Sequence, residues 1–272
     1  MRIVVCVKQV VDPLTPVTAL GVDPARKKIL GSAYTPPVIN GYDEQALEAA
    51  LRIKDNWPGG ANSTCEIVAL SLGAHFNLDV MKKALAVGAD ELVLVEDAAF
   101  DTWDSLFIAR ALAAAINRLG GADLVLCGRQ ASDWDNAQTP LILAEMLGWP
   151  CLTLARRVEV QGRRAQVERV LSDGSQVMES DLPTVVTVTS ELGELRFPPA
   201  RARLQVARRR PRELSLKELG VEMSAPTLEV LDLSLLQVER DCQFVAGATG
   251  AEAGRRLAEV LVGAGLINPN GG

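Results

Sequence analysis

The sequence predicts an α/β fold: an open, mainly parallel, doubly wound sheet with an antiparallel meander and an extended C-terminal arm. Of the 272 residues, 48% are apolar but only 4% are aromatic, and Val, Leu and Ala dominate. That composition is typical of parallel strands covered by helices. Four short apolar runs are each followed by a helical pattern, and such repeats build parallel sheets with right-handed crossovers. After Cys151 the pattern changes to alternating polar and apolar residues, which predicts the meander.

The strands of the parallel part are short apolar runs bounded by polar residues or glycine. They are expected at residues 2–7, 65–70, 91–95 and 124–127. The helices after them are expected at residues 44–56, 77–87, 104–119 and 141–147. Asn40 or Asp43 should cap the first helix and Thr102 or Asp104 the third, because short polar side chains accept hydrogen bonds from free helical N–H groups. Residues 14–37 are proline-rich and should be irregular, apart from a short hairpin from Asp23 to Leu30.

The second half of the chain divides at about residue 196. The meander strands are expected at residues 154–160, 165–171 and 176–179, with Gly162 and Asp173-Gly174 at the turns. Residues 183–189 are β-branched and apolar on both faces, so they should return to the main sheet. We therefore expect an α/β domain over residues 1–196 and an arm over residues 197–272. The helix at residues 251–263 is apolar on one face and should dock on another surface.

Charge and cysteine spacing exclude several classes of protein. The net charge of −6 makes a general nucleic-acid-binding role unlikely on electrostatic grounds, although arginines crowd residues 196–212. The five cysteines are scattered, so neither a metal site nor a disulfide framework is expected. The N-terminus enters a strand at once, without a signal-peptide pattern, and no apolar run could span a membrane. We expect a cytoplasmic protein without direct membrane insertion.

No catalytic motif is present. The sequence lacks a lysine-bearing phosphate loop, GxGxxG, GxSxG and HExxH. The only histidine, His75, follows the second strand and is expected at the surface. Asp133 and Asp135 resemble an acid–base pair, but no catalytic partner lies near them in sequence, so solvation or hydroxyl binding is the expected role. The sequence therefore favours a binding protein over an enzyme.

Three turns should meet at the carboxyl edge of the sheet, where α/β proteins bind ligands. They are Val7-Lys-Gln9, Ser71-Leu-Gly-Ala74 and Gly128 to Thr139. Gly73 and Gly128 would let the backbone approach an adenine or ribose closely. The N–H groups of residues 136–139, before a helix with Pro140 in its first turn, would bind a phosphate. On spacing alone, an ordinary strand-to-helix loop explains the last turn equally well.

Four signatures, in this order and spacing, resemble the β subunit of electron-transfer flavoprotein. They are Val5-Cys-Val-Lys-Gln-Val-Val-Asp12, Asn40-Gly-Tyr-Asp-Glu-Gln-Ala-Leu-Glu-Ala-Ala-Leu-Arg-Ile-Lys54, Lys83-Ala-Leu-Ala-Val-Gly-Ala-Asp90 and Cys127-Gly-Arg-Gln-Ala-Ser-Asp-Trp-Asp-Asn-Ala-Gln-Thr139. The resemblance extends from residue 1 to about residue 212. It implies a heterodimer with an α subunit that carries FAD. Electrons would pass from dehydrogenases, typically of the acyl-CoA type, to a membrane quinone reductase or another acceptor.

The resemblance also implies the binding residues. The β subunit of this family buries AMP or, in electron-bifurcating members, a second FAD. The nucleotide contacts carried over are Val7, Asn40, Leu70, Gly73, Gly128, Asp133, Asn136, Ala137, Gln138 and Thr139. Residues 191–197 match the family's recognition loop, with Leu192 at its anchoring leucine and Glu194 and Arg196 beside it. The alternative for Leu192 is a core residue at a strand end. The arm and its terminal helix would dock on the α subunit.

Residues 127–140 match neither nucleotide motif of the family completely. Ala137 and Arg129 follow the bifurcating pattern, Thr139 follows the AMP pattern, and Trp134 occurs in neither. The balance favours FAD over AMP, and both stay open. The alternative function is a stand-alone adenine-nucleotide-binding module, sensor-like and without redox partners. Such a module has no need of the long Arg-rich arm after Phe197.

Overall fold

The computed structural model describes residues 1–25, 27–30, 36–58, 64–101, 104–222, 227–235 and 242–268. The chain forms two compact units, Met1–Ser234 and Leu235–Gly272. In the first unit the strands are β1 (Arg2–Cys6), β2 (Gln9–Val11), β3 (Gly21–Asp23), β4 (Lys28–Leu30), β5 (Pro37–Ile39), β6 (Glu66–Gly73), β7 (Glu91–Glu96), β8 (Leu124–Gly128), β9 (Cys151–Gln161), β10 (Arg164–Leu171), β11 (Gly174–Asp181), β12 (Thr184–Val188) and β13 (Arg212–Leu214). Its helices are α1 (Gly41–Asp55), α2 (Leu78–Met81), α3 (Lys83–Val87), α4 (Ser105–Arg118), α5 (Thr139–Leu147) and α6 (Ala200–Ala207).

A large twisted sheet organises the first unit, and in the described part of the chain it has nine strands in the order β11-β10-β9-β12-β8-β1-β6-β7-β13. From β9 to β13 every neighbouring pair is parallel. The strands β10 and β11 extend this sheet antiparallel. The predicted fold class is therefore confirmed, with the meander as a continuation of the parallel sheet.

Each face of the sheet buries its own apolar layer, because side chains alternate along a strand. Ile3 and Val5 of β1 belong to the layer that includes α1 and α3, whereas Val4 belongs to the layer with α4 and α5. The central strands β8 and β12 are buried along their whole length. This explains why residues 124–128 and 184–188 are apolar without alternation, and it confirms that residues 183–189 return to the main sheet.

Local elements agree with the sequence in most places and differ in two. The hairpin predicted near Asp23 to Leu30 is β3 paired with β4. The side chain of Asp104 accepts hydrogen bonds from the N–H groups of Leu106 and Phe107 and so caps α4, while Thr102 lies outside the described residues. The pair β2–β5 was not expected, because each strand has only three residues. The helix predicted at residues 77–87 is divided at Lys82 into α2 and α3.

Residues after 197 contribute to the first unit more than their sequence suggests. The helix α6 packs against α3, and β13 pairs in parallel with the edge strand β7. Val206, Leu214 and Leu216 are buried there. Their irregular spacing produces no helical or strand period, so the sequence pattern did not indicate that this segment joins the core. The first unit extends to Ser234, further along the chain than the domain boundary expected at residue 196.

The second unit contains the predicted terminal helix, α7 (Gly250–Gly263). Thr249 caps it by accepting a hydrogen bond from the N–H of Glu252. Leu257 and Val260 are 47% and 46% exposed, so an apolar face of this helix is open to a partner. Within the described ranges, no helix combines the length and the apolar character that a membrane crossing needs.

Candidate functional site

A cavity of about 170 Å³ lies at the carboxyl ends of β1, β6 and β8. These three strands are neighbours in the sheet, so the turns that follow them meet at one edge. The floor is apolar and is formed by strand ends, by α4 and by the 3-10 turn Ala98–Phe100. Its residues are Cys6, Leu70, Leu72, Phe100, Ile108, Leu112 and Cys127. The mouth is polar, and its residues are Lys8, Ser105, Gln130, Trp134, Asn136, Gln138 and Thr139.

The thiols of the floor behave as apolar groups. Cys6 and Cys127 are adjacent in the sheet because β1 and β8 pair in register just before them. A hydrogen bond with Cys6, together with burial, raises the pKa of Cys127. The Cys127 thiol is therefore neutral at pH 7, and the floor suits a planar aromatic ring better than a charged group.

The structure brings most of the predicted nucleotide contacts to this cavity. The predicted residues that line it are Val7, Leu70, Gly128, Asn136, Ala137, Gln138 and Thr139. Asn40, Gly73 and Asp133 do not line it. Each of these three supports a neighbouring turn instead.

Asn40 holds the loop after β8 from below. Its side chain is fully buried. The Nδ2 group donates to the carbonyl oxygen of Gln130 at 2.8 Å, and the Oδ1 atom accepts from the N–H of Ser132 at 3.1 Å. It makes no side-chain capping bond to α1, although it precedes that helix. A residue expected to contact the nucleotide thus fixes the backbone of the loop that does line the cavity.

Asp43 joins two of the three turns through one carboxylate. Its Oδ2 accepts from the N–H of Lys8 at 2.8 Å and its Oδ1 from the N–H of Gly128 at 3.1 Å. Burial raises the pKa of Asp43 from 3.8 to about 7, and these hydrogen bonds and the nearby Lys8 charge oppose the rise. Asp43 was expected only as a helix cap. Its position inside α1 turns the carboxylate towards the sheet edge.

The glycines predicted to approach a ligand are required by the protein itself. A Cβ at Gly128 would lie 2.4 Å from Oδ1 of Asp43 and 2.7 Å from the carbonyl carbon of Tyr42. A Cβ at Gly73 would lie 2.9 Å from the ring of Phe76. Gly128 therefore allows the Asp43 hydrogen bond, and Gly73 allows Phe76 to pack over the turn after β6.

An ion pair between Lys8 and Asp133 lies beside the cavity. The Nζ atom of Lys8 lies 2.7 Å and 2.9 Å from the two carboxylate oxygens of Asp133. Asp135 instead accepts a hydrogen bond from the side chain of Gln130 at 2.7 Å. The two aspartates thus bind different partners. Asp133 balances the charge of Lys8 beside the cavity.

The loop before α5 presents its backbone to the mouth in an uncommon conformation. Asp135 and Ala137 have φ angles of 50° and 54°. For Ala137 this left-handed conformation costs about 1 kcal/mol, and strained residues of this kind cluster at ligand-binding sites. The helix then begins at Thr139, and Gln138 gives no side-chain cap. The N–H of Thr139 is therefore available to an anion, whereas Pro140 has no N–H and the N–H of Leu141 donates to the carbonyl oxygen of Gln138 at 3.1 Å.

The side of the cavity that α4 provides was not expected from the sequence. Ser105, Ile108 and Leu112 all line it. Their spacing of three and four residues places them on one helical face, which was the only signal available. Leu72, two residues after Leu70, was also missed, although alternation along β6 puts both on the same face. His75 lies at the surface, as expected, with 91% of its side chain exposed.

The recognition loop, residues 191–197, packs partly against its own chain. Leu192 ends a short 3-10 turn and is only 5% exposed, so in this conformation it is a core residue. Arg196 pairs with Glu48 and Asp55 of α1 at 3.0 Å and 2.8 Å. Glu194 is exposed, and the side chain of Phe197 is 87% exposed. Of the predicted partner-binding residues, Glu194 is thus the one that faces outwards.

The comparisons with known proteins agree with this architecture. The family model described as "Electron transfer flavoprotein domain" matches residues 32–214. The electron transfer flavoprotein subunit beta of Megasphaera elsdenii is 36% identical, over 77% of this chain and 76% of that protein. A caffeyl-CoA reductase-Etf complex subunit, CarD of Acetobacterium woodii, is 36% identical over 72% of this chain and 71% of its own length. Protein FixA of Azorhizobium caulinodans is 37% identical over 82% and 78%.

The matched region includes α1, the turns after β6 and β8 and the recognition loop, whereas the turn after β1 precedes it. The family model therefore covers the cavity residues contributed by α1, β6, α4, β8 and the loop before α5. The chain belongs to the electron transfer flavoprotein family, as a relative of its β subunits.

Proposed function

We propose that this chain is the β subunit of a cytoplasmic heterodimer and that its partner is a flavin-bearing α subunit. The heterodimer relays electrons from dehydrogenases of the acyl-CoA type to a quinone reductase or another acceptor. The relative named as a subunit of a caffeyl-CoA reductase-Etf complex supports a CoA-thioester enzyme as the exchange partner. This chain catalyses no reaction by itself, and any electron bifurcation belongs to the complex.

The observation that carries the proposal is the cavity at the ends of β1, β6 and β8. Its apolar floor suits the planar ring of an adenine or a flavin, and its polar mouth suits a ribose and phosphate. Residues 136–139 would hold the phosphate through backbone N–H groups. Val7, Leu70 and Gly128 would enclose the base.

The predicted nucleotide contacts that do not line the cavity would act by holding the loops around it in place. Asn40 supports the loop after β8 and Asp133 pairs with Lys8, so these residues set the shape and charge of the mouth. Gly73 keeps the turn after β6 compact. AMP in this cavity would be structural, whereas FAD would carry electrons. The matches of Ala137 and Arg129 to the bifurcating pattern favour FAD.

The arm supplies the second part of the proposal. The exposed apolar face of α7 docks on the α subunit, because a helix with an unburied apolar face is most stable against a partner. The recognition loop meets the dehydrogenase with Glu194 and the neighbouring side chains. Leu192 is buried next to these side chains, so it would anchor the contact from inside the loop.

Co-expression with a flavin-bearing α subunit tests the proposal. We expect a stable yellow heterodimer that an acyl-CoA dehydrogenase reduces when its substrate is present. A colourless monomer that binds a free adenine nucleotide would support the stand-alone module and contradict the electron-carrier proposal.

A further inference from the structure

We propose that Glu48, in the middle of α1, is the positioning residue of the recognition loop. This inference rests on the proposed function for its consequence in electron transfer, but its structural claim is independent of that function. Glu48 was not among the expected binding residues. It touches neither the cavity nor the outer surface of the loop, so it would act through other residues.

One buried carboxylate holds the C-terminal end of the loop. The side chain of Glu48 is only 7% exposed. Its Oε2 accepts from the backbone N–H of Arg196 at 3.1 Å and from Nε of the same residue at 3.0 Å. Its Oε1 accepts from a terminal nitrogen of Arg196 at 3.1 Å. Backbone and guanidinium of Arg196 are thus fixed by the same group.

The N-terminal end of the loop is held through Arg52. The Nε of Arg52 donates to Oε1 of Glu48 at 3.0 Å, and its Nη1 donates to the carbonyl oxygen of Leu192 at 2.9 Å. Gly193 follows with a φ angle of +106°, and a Cβ there would lie 3.3 Å from Arg52. Glu48 therefore connects both ends of the loop to α1, directly at Arg196 and through Arg52 at Leu192.

The opposite charges of Glu48 and Arg196 stabilise the attachment of the loop to α1. Burial opposes ionisation of Glu48, but hydrogen bonds from Arg196 and Arg52 outweigh it and lower the pKa of the carboxyl. The same bond to Glu48 raises the pKa of Arg196. Both groups are charged at neutral pH, and a buried charge that loses its partner is costly. A loop held in one shape loses less conformational entropy when a partner binds.

The proposed role of Arg196 differs from the role expected from the sequence. The residue was expected to bind the partner, but its guanidinium is directed into its own chain, towards Glu48 and Asp55. Glu194 and Phe197 are the exposed side chains on either side of it. Arg196 thus holds the loop against α1, and its neighbours Glu194 and Phe197 are the side chains exposed to a partner.

The test compares Glu48→Gln with a control on the same helix, Glu44→Gln. Gln retains the volume but has one acceptor oxygen, and its NH₂ group faces the donors of Arg196. Glu44 forms its ion pair with Lys83 at 2.5 Å, away from the recognition loop. Amide hydrogen exchange of the loop is measured in the full-length chain. We expect about tenfold faster exchange in the Glu48 variant, because a buried charged hydrogen bond is lost, and no change in the control.

Unchanged exchange in Glu48→Gln, or equal increases in both variants, would overturn the assignment. If Glu48→Gln does not fold, Arg196→Lys takes its place. Lys supplies a charge but not the fork that reaches both oxygens of Glu48. The loop should then exchange faster while the rest of the chain stays protected, and a loop that exchanges as in the wild type would contradict the proposal.

Electron transfer in the heterodimer provides the functional readout. For Glu48→Gln we expect the KM for the dehydrogenase to rise about threefold or more, with kcat and nucleotide content unchanged, because only encounter geometry is affected. An unchanged KM would contradict the positioning role. If the wild-type heterodimer accepts no electrons from any acyl-CoA dehydrogenase, the proposed function fails, and hydrogen exchange still decides the role of Glu48.

Discussion

At the scale of single residues, carboxylates on α1 shape both functional regions of the first unit. Asp43 bonds to the backbone of Lys8 and Gly128 beside the cavity. One and a half turns later, Glu48 bonds to Arg196 of the recognition loop. The hydrophobic pattern predicts the helix that carries both residues, but the sequence indicates only a capping role for Asp43. The difference arises because hydrogen bonds to distant backbone groups leave no local pattern in the sequence.

The pKa of Asp43 predicts a pH-dependent stability. The folded-state pKa is raised from 3.8 to about 7, so the folded state binds the proton more tightly than the unfolded state does. The stabilisation from Asp43 is therefore fully present below the unfolded pKa and is lost as the pH rises through the folded one. Urea unfolding of the wild type and of Asp43→Asn should show the wild type losing stability relative to the variant between about pH 4 and pH 7. A stability difference that does not vary with pH would contradict this origin.

Gly128→Ala tests whether residue 128 must lack a side chain because of the protein's own packing or because of a bound ligand. The added Cβ would contact Oδ1 of Asp43 at 2.4 Å, so we expect a loss of about 1–3 kcal/mol in unfolding free energy even without nucleotide. The control is Gly41→Ala, where a Cβ meets nothing within 4 Å. Thermal unfolding of the nucleotide-free chain gives the result. Equal stability of Gly128→Ala and the wild type would instead favour a ligand-approach role for this glycine.

At the scale of elements, the sequence predicts long, regular segments well and short ones poorly. The strands of the parallel sheet and the helices α1, α4, α5 and α7 follow clear hydrophobic periods. The three-residue strands β2, β5 and β13 do not, because so few residues cannot display a period. Their pairing is decided by neighbours far away in sequence, as for β13 on the edge of β7. The period of α4 predicts the helix, but it does not show that Ser105, Ile108 and Leu112 line the cavity.

The exposed face of α7 predicts a docking contact with the α subunit. Replacing Leu257 and Val260 by Asp places charges in that face, so the heterodimer should dissociate at least about tenfold more readily. Arg255→Asp is the matched control, since residue 255 lies on the opposite side of the helix from Leu257. Analytical ultracentrifugation measures the dissociation constants. Equal affinity of the double variant and the wild type would exclude α7 from the interface.

At the scale of the whole molecule, the fold class could be predicted from composition and from repeated strand–helix patterns. The convergence of the turns after β1, β6 and β8 also follows, because parallel strands that are neighbours end at one edge. What could not be predicted is which side chains line the cavity and which support it. Asn40 and Asp133 belong to the second group, and that division depends on side-chain directions in three dimensions.

The central claim is that this chain holds a nucleotide of its own inside an electron-transfer heterodimer. Acid extraction of the purified heterodimer, with flavin and AMP quantified per complex, tests it most directly. We expect one nucleotide in addition to the flavin of the α subunit. Two flavins would identify the second site as FAD, and one flavin with one AMP would identify it as AMP. A folded heterodimer that releases one flavin and no second nucleotide would contradict the claim.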